Sequence, residues 1–174
     1  MTAITPTSAD DGITNGGKQR QYDRLFQRLD ALCGVDGRDE TDAIALMASI
    51  ACELKQAFSH FDWVGFYRNV GNRTLKIGPY QGGHGCLTIP FNLGICGQCV
   101  REMRLLNIQD VNAEPHPIAC ASSTQSELVL PITNTRGELL AVLDIDSDSA
   151  AAFDSCDERN IALINRYFSH ACYS

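Results

Sequence analysis

The sequence predicts an α+β fold, a single domain in which an antiparallel sheet of about six strands is flanked by N- and C-terminal helices. Two observations carry this prediction. Near both ends of the chain, apolar residues recur at three- and four-residue steps, as they do on one face of a helix. Between them lie short stretches rich in β-branched and aromatic residues, separated by turn-forming glycine and asparagine. Helices segregated from a run of hairpins are typical of the α+β class.

Size and charge narrow the class of protein. The chain has 174 residues, enough for one domain with a sizeable core. Its formal net charge of −7 and its lack of a basic cluster argue against nucleic acid and anionic membrane as partners. Residues 1–18 contain no basic start followed by an apolar stretch, as a secretory signal would. We therefore expect a cytoplasmic protein with residues 1–18 as a disordered lead-in and residues 19–174 as the folded domain.

Three amphipathic helices are predicted near the ends of the domain. The apolar stripe of the first consists of Tyr22, Leu25, Phe26, Leu29, Leu32 and Cys33. A second helix starts near Thr41, and its stripe consists of Ile44, Met47, Ala51, Leu54 and Phe58. The last helix starts at Asp154, a suitable N-cap, and its apolar residues are Ile161, Ile164, Phe168, Ala171 and Cys172. Cysteines on such stripes are expected to be packed thiols.

Two hairpins are predicted in the middle of the chain. The first joins an aromatic strand at residues 61–68 to a strand that begins at Thr74, through a turn at Gly71 and Asn72. The second joins strands at residues 127–132 and 138–146. Shorter elements are expected between the hairpins: a strand at residues 86–89, a helix at 94–103 and a strand at 105–109.

Three carboxylates are predicted to converge at one end of the sheet. Asp144 and Asp146 continue the face of the last strand that begins with Leu140 and Val142, and Glu127 begins the neighbouring strand. Because a buried, unpaired carboxylate is costly, these groups should face water, a network of donors or a cationic ligand. The alternative is a solvated strand end with turn-forming aspartates. No ligand spacing predicts a metal site among them.

Four of the eight cysteines lie between residues 77 and 127: Cys86, Cys96, Cys99 and Cys120. Cysteines in turns and beside glycines are typical of thiol chemistry or metal binding. Cys96 and Cys99 form a CxxC pair, but the rest of a thioredoxin pattern is absent. A zinc site could combine these cysteines with His84 or His116, although no second CxxC supports it. The residues alone leave redox chemistry and zinc binding open.

The chain resembles the free methionine-R-sulfoxide reductases, a family of enzymes with the GAF fold. The matching segments, in order, are FDWVGFY at 61–67, IGPYQG at 77–82, Cys86, IPF at 89–91, GICG at 94–97, IAC at 118–120, SELVLPI at 126–132 and VLDIDS at 142–147. The resemblance covers residues 39–168 and implies one GAF-like domain. A ligand-sensing GAF module is the alternative, but it would not need the three cysteines of this pattern.

The resemblance implies reduction of free L-methionine-(R)-sulfoxide, rather than of methionine within proteins. Cys120 corresponds to the nucleophile, which attacks the sulfoxide sulfur and becomes a sulfenic acid. Cys96 and Cys86 correspond to recycling cysteines that form an intramolecular disulfide, and which of the two resolves first stays open. Glu127 and Asp146 would donate hydrogen bonds or protons to the sulfoxide oxygen.

The same resemblance implies the substrate contacts. Asp144 would pair with the substrate ammonium group, and Trp63 and Tyr67 would form an apolar wall for the methylthio end. Backbone N–H groups in the loop that contains Ile118 and Ala119 would hold the substrate carboxylate. A peptide lacks these terminal charges and would leave the polar partners unmatched.

The remaining expectations concern partners. No bound cofactor and no metal are implied, and an external thiol reductant of thioredoxin type would regenerate the thiols by disulfide exchange. A homodimer is expected by family analogy. Cys99 departs from the family pattern, which usually has a small residue there, and we expect it to be a silent helix thiol.

Overall fold

The computed structural model describes residues 15–114 and 122–173. Its α-helices are α1 (Asn15–Cys33), α2 (Ala43–Ala57), α3 (Gly94–Glu102) and α4 (Ser155–Leu163). Its strands are β1 (Trp63–Asn69), β2 (Thr74–Gln81), β3 (Thr88–Pro90), β4 (Leu106–Ile108), β5 (Ser126–Thr133) and β6 (Leu139–Ser147). Short 3₁₀ helices lie at Val35–Gly37, Val111–Ala113 and Ile164–Phe168. The predicted α+β class is confirmed.

The six strands form one sheet in the order β3-β2-β1-β6-β5-β4, and every neighbouring pair is antiparallel. Both predicted hairpins are confirmed. The central strand β6 pairs with β1 on one side and with β5 on the other. In this register Asp146 lies between Trp63 on β1 and Glu127 on β5. Residues far apart in sequence therefore form a row across the same end of the sheet.

The two faces of the sheet bury different cores. One face packs against α1, α2 and α4, and its large apolar cluster includes Leu143 and Ile145 of β6. The other face carries a smaller cluster that includes Val142, together with residues of α3. Because alternate residues of β6 point to opposite faces, Asp144 and Asp146 belong to the side of Val142 and α3.

Four residues lie outside the buried apolar face that the sequence predicts for each of them. Leu32 is 64% exposed, because the stripe of α1 passes through Leu29 and Cys33, four residues apart, and leaves Leu32 beside it. Ile44 is 38% exposed, since α2 buries Ala43 instead. Cys172 is exposed, because it lies beyond the end of the last 3₁₀ helix. Leu140 belongs to the larger apolar cluster, on the face opposite Val142, because the register between β5 and β6 shifts beside it.

Helix α1 begins at Asn15, before the predicted start of the domain at residue 19. Lys18, assigned by sequence to the lead-in, is buried and donates to Asp157 at 2.7 Å and to Asp154 at 2.9 Å. Asp154 caps α4 as predicted, within a capping box. The Tyr22 hydroxyl also donates to Asp157 at 2.8 Å. These contacts attach the start of α1 to the start of α4.

We expect Lys18→Met to lower the free energy of unfolding by about 3 kcal/mol, because the fully buried Asp157 would lose its cationic partner. Urea denaturation followed by circular dichroism measures the change. Lys76→Met, at an exposed position on β2, is the control and should change stability by less than about 0.5 kcal/mol. Equal stability of the two variants would contradict the role of this ion pair.

Candidate functional site

Three carboxyl groups meet on the α3 side of the sheet, as the strand pattern predicts. Glu127 of β5 lies opposite Asp146 of β6, and its side chain shares a hydrogen bond with that of Asp144. Asp144 is 5% exposed and Asp146 9% exposed. The alternative of a solvated strand end is therefore wrong. Among the described residues, none of the ion pairs supplies a Lys or Arg partner to these three groups.

Three aromatic rings form a stack beside the carboxyl groups. The Trp63 ring lies between Tyr67 and Tyr80, with centroid distances of 5.7 Å and 5.4 Å. A Cβ atom on Gly65 would approach the Cβ of Tyr80 to 2.5 Å and would also meet the Trp63 ring, so glycine is required there. Trp63 Nε1 donates to the Gly83 carbonyl at 3.1 Å, which fixes the indole. Sequence reasoning missed Tyr80 as a member of this wall.

Cys96 reaches the carboxyl groups from the first turns of α3. A Cβ on Gly97 would lie 2.8 Å from the Phe91 carbonyl oxygen, so glycine allows α3 to pack closely on the preceding segment. Cys96 Sγ lies 4.0 Å from Glu127 Oε1. One donor atom each from Cys96, Glu127 and Asp144 lies within 4.8 Å of the others. The structure thus joins a thiol to the predicted carboxylates.

Burial separates the proton affinities of the carboxyl groups. Loss of hydration raises the pKa of Glu127 well above its ordinary value, and repulsion from Asp144 and Asp146 adds to the effect. Loss of hydration also raises the pKa of Asp146 well above its ordinary value, and repulsion from Asp144 is the next largest cause. Burial raises the pKa of Asp144 only to about 6, because hydrogen bonds from Glu127 and Cys96 stabilise its anion. These shifts favour the anion at Asp144 and the protonated forms of Glu127 and Asp146.

Burial likewise keeps Cys96 in its thiol form. Loss of hydration raises its pKa well above the ordinary value, and the charges of Asp144 and Glu127 add to this. Loss of hydration, together with the charge of Asp144, also raises the pKa of Tyr67, whose hydroxyl forms a hydrogen bond with the backbone of Cys86. Because the thiolate is the reactive form, Cys96 is a poor initial nucleophile in this arrangement.

One oxygen of Asp144 is available for a ligand. Asp144 Oδ1 is buried and has no hydrogen-bond partner among the described residues. An unpaired buried acceptor is costly, so this position favours a ligand that brings a hydrogen-bond donor or a positive charge. The aromatic wall and the protonated carboxyl groups beside it can hold an apolar group and a polar oxygen.

The predicted site residues differ in what the structure says of them. Trp63, Tyr67, Cys96 and the three carboxyl groups lie together on one side of the sheet. Cys86 is disulfide-bonded. The positions of Cys120, Ile118 and Ala119 fall outside the described residues. Cys99 is fully buried, and its thiol donates to the Arg104 carbonyl at 3.4 Å.

None of the helices within residues 15–114 and 122–173 is long and apolar enough to cross a membrane. The predicted cytoplasmic location, the homodimer and the absence of a cofactor stay predictions.

Comparison with known proteins identifies the family. The model of the GAF domain matches residues 42–171. Protein YtsP of Bacillus subtilis is 39% identical over 146 residues, which are 83% of this chain and 86% of that protein. The free methionine-R-sulfoxide reductase of Escherichia coli is 34% identical over 122 residues, 70% of this chain and 73% of the enzyme.

Solved structures agree with this assignment. The free methionine-R-sulfoxide reductase from Neisseria meningitidis, solved in complex with its substrate, superposes with a TM-score of 0.77 at 33% identity. The match covers 97% of this chain and 96% of that one. Relatives in sequence and in structure thus include reductases of this kind. The chain belongs to the GAF domain family.

Proposed function

We propose that this protein reduces free L-methionine-(R)-sulfoxide to L-methionine. The observation that carries the proposal is the cluster of Glu127, Asp144 and Asp146 beside an aromatic wall, in which burial raises the pKa of Glu127 and Asp146 well above the ordinary values. Such a cluster matches a small ligand that has a positive charge, an apolar end and a basic oxygen. The similarity to the reductases of E. coli and N. meningitidis supports the same substrate.

The substrate is bound through both of its ends. The Asp144 anion accepts hydrogen bonds from the ammonium group, which supplies a partner for Oδ1, an atom with none among the described residues. Trp63 and Tyr67, with Tyr80 outside them, contact the methylthio group. Backbone N–H groups near Ile118 and Ala119 bind the substrate carboxylate.

The first chemical step transfers oxygen from the sulfoxide to the enzyme. The Cys120 thiolate attacks the sulfoxide sulfur while Glu127 and Asp146 donate hydrogen bonds or a proton to the oxygen. The oxygen then moves from the substrate sulfur to the Cys120 sulfur as the transient bond between the two sulfurs breaks, so that methionine leaves with the electron pair and Cys120 becomes a sulfenic acid. The two acids suit this step because burial raises the pKa of each and so favours its protonated form.

The second step regenerates the thiol. A thiol of Cys86 or Cys96 condenses with the sulfenic acid, which releases water and forms a disulfide. The disulfide at Cys86 supports a role for this residue in recycling. An external dithiol of thioredoxin type then reduces the disulfide by exchange and is itself oxidised. We further propose that the enzyme acts as a cytoplasmic homodimer and needs no bound cofactor or metal.

An epimer-resolved activity assay tests the function. Purified protein with dithiothreitol should convert free methionine-R-sulfoxide to methionine and leave the S-epimer unchanged. A peptide that contains methionine sulfoxide should also remain unreduced. Binding of the R-epimer without turnover would instead favour a ligand-sensing GAF module, and preference for the S-epimer or the peptide would contradict the proposed pocket.

Asp144→Asn should mainly weaken substrate binding, because it replaces the anion that pairs with the ammonium group. We expect KM to rise by about 30-fold or more, which corresponds to roughly 2 kcal/mol for a buried charge pair. Steady-state kinetics with the R-epimer measure the effect. Asp148→Asn, four residues further along at an exposed position, is the matched control. Equal KM values for the two variants would exclude Asp144 as the ammonium partner.

A further inference from the structure

We propose that Cys96, Glu127 and Asp144 form a binding site for a thiophilic divalent cation, with zinc as its preferred ion. A sulfur atom and two carboxylate oxygens, one from each residue, all lie within 4.8 Å of one another. Cys96 is 3% exposed and Asp144 5% exposed. The three ligands come from α3, β5 and β6, so the fold itself brings them together.

The geometry is close to that of a zinc site. Tetrahedral zinc with a Zn–S bond of about 2.3 Å and a Zn–O bond of about 2.0 Å places sulfur and oxygen about 3.5 Å apart. Cys96 Sγ and Glu127 Oε1 are 4.0 Å apart, so a shift of about half an ångström brings them to this separation. Three protein ligands leave the fourth position of zinc open to water.

A buried oxygen of Asp144 also favours a cationic ligand. Oδ1 of this buried side chain lacks a hydrogen-bond partner in the described part of the chain. Asp146 lies nearby, and no Lys or Arg forms an ion pair with Asp144, Asp146 or Glu127 among residues 15–114 and 122–173. A divalent ion would offset the negative charge of the clustered carboxylates.

The type of ligand selects the type of metal. Calcium takes six to eight oxygen ligands, and magnesium requires an octahedral set of oxygens, which one thiol and two carboxylates do not supply. A sulfur ligand favours softer ions, and zinc accepts sulfur and carboxylate oxygen in the same four-coordinate site.

Bound zinc would have a consequence that rests on the proposed function. It would occupy Asp144 and Glu127, which we assign to the substrate, and would hold the Cys96 thiolate. Zinc should therefore inhibit the reductase reversibly and in competition with methionine sulfoxide. The binding of the ion itself depends on the geometry alone and is measurable without turnover.

Cobalt(II) titration of the full chain, prepared with the Cys86 disulfide formed, tests the site. Coordination by a thiolate gives a sulfur-to-cobalt charge-transfer band, which we expect to saturate at one ion per chain and to disappear when zinc is added. Cys96→Ser should remove the band and weaken cobalt binding by at least about tenfold. Cys99→Ser, at a buried cysteine on the same helix, should retain both.

A second variant separates metal binding from folding. Asp144→Asn should keep the charge-transfer band but weaken cobalt binding by at least about tenfold, with an unchanged circular dichroism spectrum. Absence of a saturable band, a band that survives in Cys96→Ser, or one lost in Cys99→Ser would overturn the site. Activity with chelator present tests the reductase separately, so failure of either proposal leaves the other distinguishable.

Discussion

Replacing Cys120 with serine is expected to abolish methionine formation, with a loss of more than about a thousandfold in the first turnover. Serine lacks the nucleophilic thiolate and cannot retain the sulfoxide oxygen as a sulfenic acid. The measurement is a single-turnover reaction of prereduced protein with the R-epimer and no added reductant, in which released methionine is counted per chain.

Other cysteine variants serve as controls for this result. Cys99→Ser should release methionine at the parental rate, since this buried thiol lies outside the proposed relay. Cys86→Ser and Cys96→Ser should each still release methionine in the first turnover. Whichever of them then fails in multiple turnovers is the resolving cysteine. Full first-turnover activity in Cys120→Ser, with loss in either of the other two, would assign the nucleophile to a different cysteine.

Glu127→Gln is expected to slow sulfoxide reduction by about a hundredfold. Glutamine keeps the size and can still donate a hydrogen bond, but it cannot transfer a proton to the sulfoxide oxygen. The change should appear in the single-turnover rate more than in KM, because the proton is needed in the transition state. Glu138→Gln, at an exposed site before β6, should leave the rate unchanged.

The rate of sulfoxide reduction should decrease as pH rises. Burial raises the pKa of Glu127, so its active acid form persists to a higher pH than usual and is lost as pH rises through that raised value. The single-turnover rate of the unsubstituted protein should therefore fall at alkaline pH. This fall should be smaller in Glu127→Gln. If Glu127→Gln kept both the rate and the alkaline fall of the unsubstituted protein, Glu127 would not be the proton donor.

The same substitution should also stabilise the fold. In the unfolded chain the Glu127 carboxyl loses its proton above its ordinary pKa, whereas the folded protein keeps it until the raised pKa is reached. Stability therefore decreases with pH between these two values, and Glu127→Gln removes that loss. Increased stability together with reduced activity would show that the rate effect does not come from unfolding.

The positions of several site residues follow from the sequence alone, because short-range patterns predict them. Strand alternation placed Asp144 and Asp146 on one face, and the hairpin pattern brought Glu127 beside them. The four-residue spacing of Trp63 and Tyr67 placed both rings on the same side of β1. These relationships depend on the period of a strand and the pairing of neighbours, which the order of residues encodes directly.

Helix faces were less accurately predicted from spacing. Leu32 and Ile44 fit the apolar step of their helices but lie beside the buried stripe, because a step of three or four residues leaves the direction of the core open. Leu140 was assigned to the face of Asp144, but a register shift between β5 and β6 moves it to the helix-side core. Lys18 fits the polar composition of the lead-in, but its buried partner Asp157 lies 139 positions away in the sequence.

The order of residues alone predicts the fold class, the GAF resemblance, the aromatic pair and the meeting of the three carboxyl groups. Only the tertiary structure placed Cys96 beside Glu127 and Asp144 and added Tyr80 to the aromatic wall. It alone showed that burial raises the pKa of Glu127 and Asp146 well above the ordinary values and that of Asp144 only to about 6. The physical reason is that a pKa depends on which neighbours exclude water and which charges lie close, and those neighbours come from different elements.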